Sequence, residues 1–114
     1  QKFQVKNTVE TAKLDQQYTV FENQRKLNEL YKTLNIIAEQ YDNAIEKNKI
    51  LQQNFENQKL SFERSEEKYK EGLMDAYTFF VVRNSWLQAN FNLNASKFDV
   101  MQQQALINVF ENNN

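Results

Sequence analysis

The sequence predicts an all-α fold, a long antiparallel coiled-coil hairpin of one ~68-residue helix and one ~36-residue helix. Three observations carry that reading. Turn-forming residues are nearly absent, a single glycine lies late in the chain, and apolar residues recur at heptad spacing on both sides of it. The 114 residues include one Gly, no Pro and no Cys. Average usage would supply about eight Gly and six Pro, which turns require because Gly provides positive φ and Pro pre-sets φ. A β-sandwich or a doubly wound α/β domain, with its many tight turns, is excluded on that count.

The first helix is expected over about residues 3–70. From Leu27 onward one heptad position reads Leu27, Leu34, Tyr41, Asn48, Phe55, Phe62, Tyr69. The position three later reads Leu30, Ile37, Ala44, Leu51, Gln58, Ser65. Sustained apolar residues at both seam positions are the coiled-coil signature. Upstream the register fails: Lys6, Lys13 and Val20 fall on the first position. Apolar residues there follow Val5, Val9, Ala12 on one face and Leu14, Tyr18, Phe21 on another, so the packing partner changes or the face rotates near residues 20–27.

The chain reverses over about residues 71–75, around Gly72. Glycine just past a helix is the usual left-handed C-cap, and Lys68 and Lys70 place positive charge where the helix dipole favours it. Asp75 or Thr78 can then N-cap the next helix. That helix is expected over about residues 76–111. Phe79, Trp86, Leu93, Val100 and Ile107 form one row at heptad spacing; Phe80, Leu87 and Met101 form a second; Phe91, Phe98 and Ala105 form a third. These rows spread over more than half the circumference, so this helix calls for neighbours on two sides.

Unequal lengths sharpen the reading. At ~1.5 Å per residue the first helix measures ~100 Å and the second ~54 Å. Residues ~36–70 can pair with the second helix. Phe3, Val5, Val9, Leu14, Tyr18, Val20 and Phe21 then need cover from another copy or from a further helix. The expectation is one hairpin domain over 1–114, a fragment of a larger protein that oligomerises in solution, with Gln1 and Asn112-Asn113-Asn114 as cut ends.

Composition also limits function. Without His or Cys there are no thiolate nucleophiles, disulfides, imidazole acid–base groups or common zinc sites. No catalytic constellation is expected, no cofactor and no metal. A net charge of −1 leaves no basic footprint for nucleic acid, and no apolar run is long enough to span a bilayer. Sixteen Asn and 13 Gln make much of the surface polar without charge. Glu66-Glu67 and Asp42 with Glu46 read as a solvated face, Trp86 as a wedge between neighbouring helices, and Arg83 as a cross-hairpin partner for Glu63, Glu66 or Glu67.

The turn and second helix carry a family pattern. Glu67-Lys68-Tyr69-Lys70-Glu71-Gly72-Leu73-Met74 is followed by Arg83-Asn84-Ser85-Trp86-Leu87-Gln88-Ala89-Asn90-Phe91-Asn92-Leu93 and then Lys97-Phe98-Asp99. Together these resemble the TolC-like outer-membrane efflux protein family, and the amide- and charge-rich coil from Lys2 to Lys70 extends the resemblance over essentially the whole chain. The resemblance implies a homotrimer whose helical hairpins build a periplasmic tunnel beneath a membrane β-barrel. Each protomer would carry two structural repeats, and this hairpin fits either. It implies a passive export duct whose hairpin tip docks a periplasmic adaptor protein and, through it, an inner-membrane transporter. The adaptor-binding tip would be Tyr69, Gly72, Leu73 and Met74. Met74 stands where the family often has a basic residue, and Thr78 and Val81 where some members have acidic ones that narrow the pore. The location implied is the periplasmic portion of a Gram-negative outer-membrane protein. The alternative reading is a structural coiled-coil scaffold or tether with no transport role.

Overall fold

A computed structural model describes residues 2–112 and consists there of two helices, α1 (Lys2–Lys70) and α2 (Ala76–Asn112). Gln1, Asn113 and Asn114, among the expected cut ends, lie outside the described residues. The chain falls into two units, Gln1–Ile36 and Ile37–Asn114.

Within the first unit the described residues are all helix, and their large apolar side chains from Phe3 to Phe21 are exposed. Its local support is polar. The Arg25 guanidinium donates to Glu22 at 2.8 Å one turn back. Thr8, Thr19 and Thr33 each return a hydroxyl hydrogen bond to the carbonyl four residues earlier. The Arg25–Glu22 pair contributes a few tenths of a kcal/mol, whereas the threonine back-bonds satisfy their hydroxyls without adding helix stability.

The second unit is an antiparallel coiled-coil hairpin. On α1 the seam falls on the two heptad positions visible in the sequence: Ile37, Ala44 and Ser65 are buried, and Tyr41, Asn48, Leu51, Phe55, Gln58 and Phe62 are half-buried. On α2 the row Phe79, Trp86, Leu93, Val100, Ile107 is half-buried or better throughout. Its companion row is Val82, Ala89, Ser96, Gln103, Phe110. That second row escapes a hydropathy reading because it contains a serine, a glutamine and an alanine. The more apolar rows expected to share the packing, Phe80–Leu87–Met101 and Phe91–Phe98–Ala105, are exposed in the chain. Small residues serve the seam because they let the two backbones approach.

A polar layer interrupts the seam. Asn48 Nδ2 donates to Ser96 Oγ at 2.9 Å, and Ser96 Oγ donates to the Leu93 carbonyl at 2.9 Å. A lone Asn at such a core position favours the one register that gives it a partner, at some cost in stability. Elsewhere the abundant amides pair along their own helix, Gln53 with Asn57, Gln88 with Asn92 and Gln104 with Asn108. The Asn/Gln excess is therefore compatible with regular helix, where Gln–Asn pairs four apart are mildly stabilising. No described helix is long and apolar enough to cross a membrane.

Candidate functional site

The residues singled out at the turn do come together, in a compact cap. Leu73 N–H donates to the Lys68 carbonyl at 2.8 Å and Gly72 N–H to the Tyr69 carbonyl at 3.1 Å. This 6→1 and 5→2 pair is a Schellman motif, and its left-handed residue is Gly72 at φ 74°. Such motifs commonly carry an apolar contact between the residue after the glycine and one in the last helical turn. Here the position that would receive it is Lys68, and Leu73 is 72% exposed. The turn thus closes through its backbone alone and leaves the leucine presented outward.

The second helix starts at once. Asp75 Oδ1 accepts from Thr78 N–H at 2.6 Å, while the Asp75 carbonyl accepts from Phe79 N–H at 3.1 Å. Asp75 is therefore the N-cap and Thr78 the donor to it, which resolves the two candidates. The backbone hydrogen bond from Thr78, assisted by the threonine side chain, holds the Asp75 carboxyl below its ordinary value.

Beneath the cap lies a run of stacked rings. Tyr69 stacks on Phe79 with centroids 4.6 Å apart and planes 8° from parallel. Phe79 meets Phe62 at 5.8 Å, and Phe62 stacks on Trp86 at 4.7 Å and 5°. Tyr69, 40% exposed, is thus a structural ring at the end of the seam as well as part of the tip. Trp86 wedges against α1 of its own hairpin, and its Nε1–H is buried with no acceptor.

Around the turn, Gly72 and Leu73 are exposed, and Met74 is half-buried. Sequence reasoning missed Tyr77, which is 79% exposed and stands in the first turn of α2, four residues after Leu73. Its available signal was its place in the apolar row of Phe91 and Phe98, on the face away from the seam. Phe80 and Val81 extend the exposed apolar surface along α2. Thr78 and Val81 are both exposed.

The expected pairing of Arg83 is corrected. Among the described residues Arg83 joins no ion pair; Glu66 is instead held by Lys70 at 3.0 Å, one turn along its own helix. Local i,i+4 partners are already aligned by the helix, whereas a cross-hairpin pair must order two long side chains. Beside the seam runs a shallow uncharged groove in which the amides of Asn54, Gln88 and Asn92 and the Ser85 hydroxyl alternate with Val81 and Ala89. No three potential metal-ligating side chains gather among the described residues.

Searches against protein families, characterised proteins and solved structures return no match to this chain.

Proposed function

We propose that this hairpin is a wall segment of an export duct, the periplasmic part of a trimeric outer-membrane channel, and that its tip docks a periplasmic adaptor coupled to an inner-membrane transporter. The observation that carries the reading is the tip. A backbone-closed turn on a stacked aromatic base presents Leu73 and Tyr77 to solvent, where they contribute little to the chain's own packing. Isolated apolar exposure is common on protein surfaces, but a rigid turn that projects two large apolar side chains suits a helical or hairpin partner.

The mechanism would be passive. A wall rich in uncharged amides would let solutes pass without strong adhesion, while apolar seams hold the helices together. Opening would be a change in tip packing, driven by an adaptor that binds the open arrangement more tightly than the closed one. On this reading the protein is not an enzyme.

The test is Leu73→Glu in the protein that carries this hairpin. Loss of export and of tip-directed adaptor crosslinking, with normal folding and abundance, is the expected result. Normal crosslinking would refute docking at Leu73. A structural coiled-coil scaffold would also use the exposed rows of α2, but it has no need of an apolar tip, so Leu73→Glu would leave it unaffected.

A further inference from the structure

The face of α2 turned away from the seam is unlike the matching face of α1. From Tyr77 to Val109 its positions carry no Lys, Arg, Asp or Glu at all. They hold Tyr77, Phe80, Leu87, Phe91, Phe98 and Met101, all exposed, separated by amides and alanines. Along α1 in the same unit the outward positions include Asp42, Glu46, Lys49, Glu56, Glu63 and Arg64. One helix thus has a solvated back, and the other has a second apolar seam with nothing on it.

We infer that a second copy of this chain occupies that face, in a two-fold antiparallel α2–α2 pairing with Phe91 on the axis. The pairing matches the face to itself. With Phe91 meeting Phe91 of the second copy, each other bulky residue falls opposite a smaller one. Leu87 meets Ala95, Met101 meets Val81, Phe98 meets Asn84, and Tyr77 meets Ala105. A charge-free stripe also needs no opposite-charge partner, and no charged side chain on this face has to be desolvated.

The area is of the right order. Aromatic side chains carry about 150–250 Å² each, and Phe91 and Phe98 keep 68% and 61% of their surface exposed. With the neighbouring apolar residues the face offers at most on the order of 600–800 Å² per copy for burial, against the roughly 800 Å² per partner of a standard stable interface. A two-fold contact of this kind also closes on itself rather than propagating. The inference concerns the isolated chain and does not rest on the duct reading; in a three-fold duct the same face would meet a neighbouring helix instead of a two-fold copy.

The chain has no cysteine, so single introduced thiols report the geometry cleanly. A disulfide requires Cα atoms within about 7 Å. Phe91→Cys is expected to form a linked dimer on mild oxidation. Phe98→Cys alone is not, because its two copies would stand about 21 Å apart along the helix. Sedimentation of the unmodified chain at micromolar concentration should show a dimer, and Leu87→Glu with Phe91→Glu should convert it to a monomer. These side chains lie off the hairpin seam, so helicity by circular dichroism should be retained. A monomeric parent chain, a dimer that persists in the double variant, linkage at both cysteine positions (a parallel pairing) or linkage at Phe98→Cys alone would each overturn the proposal.

Discussion

Replacing Gly72 isolates a purely conformational term, because an added Cβ there would meet nothing within 4 Å. The backbone is held at φ 74° by the two turn hydrogen bonds, and an L-residue in that region costs about 1–2 kcal/mol. Part is returned, since alanine restricts the unfolded chain by about 0.4–1 kcal/mol relative to glycine. Gly72→Ala is therefore expected to lose about 1 kcal/mol net, near five-fold in the folding equilibrium. Gly72→Asn should lose less, because Asn tolerates the left-handed region. The measurement is urea denaturation followed by helical circular dichroism at one fixed protein concentration, which matters for a chain that associates. The denaturant dependence should be unchanged, as neither variant alters the surface buried. A Gly72→Ala variant as stable as the parent would refute the claim that this turn requires positive φ. A loss beyond about 3 kcal/mol would instead mean a steric contact that the open surroundings of Gly72 do not contain.

Trp86 separates ring stacking from donor cost. Trp86→Ala should destabilise by about 2–3 kcal/mol, below the range for a fully buried aromatic because the residue is half-buried. Trp86→Phe keeps a ring against Phe62 and removes the unpaired Nε1–H, so it should stay within about 1 kcal/mol of the parent in the same assay; equal losses would refute the stacking account. Asn48→Leu should raise the unfolding midpoint by filling the seam, while Ser96→Ala, which strands the Asn48 donor, should lower it by about 1 kcal/mol. Crosslinks across the seam should then report registers in Asn48→Leu that the parent does not populate. For Asp75 the sign follows from a folded-state pKa below the unfolded one. Its contribution is present above the unfolded value and is lost as pH falls through the folded value, from about pH 4 downward. Asp75→Asn keeps an acceptor for Thr78, so the difference in urea midpoint between parent and variant should change below about pH 4 and be flat above it.

Much of this hairpin was legible in one dimension because coiled-coil order is periodic. Both α1 seam rows, the reversal at Gly72 and the helix ends follow from heptad spacing and cap chemistry, which are local properties. Ser96 and Gln103 were not legible as seam residues, since hydropathy ranks them below Phe91 and Phe98, which the chain leaves exposed. Arg83 was misplaced for a related reason: spacing shows which charges could meet, but not that Lys70 already holds Glu66. At the tip, the sequence marked Tyr69, Gly72, Leu73 and Met74 as one group. The heptad row already set Tyr69 on the seam; the structure adds its stack on Phe79, the outward exposure of Leu73, and Tyr77.

The sequence by itself determined two helices, their lengths and the one place where they reverse, because these depend on propensity, period and a single left-handed residue. Tertiary structure decided which of the two apolar faces of α2 forms the hairpin seam. Fit, not hydropathy, settles that choice: the face with the buried Ala89 and Ser96 lies against α1, where Ser96 meets Asn48, and the bulkier face stays exposed.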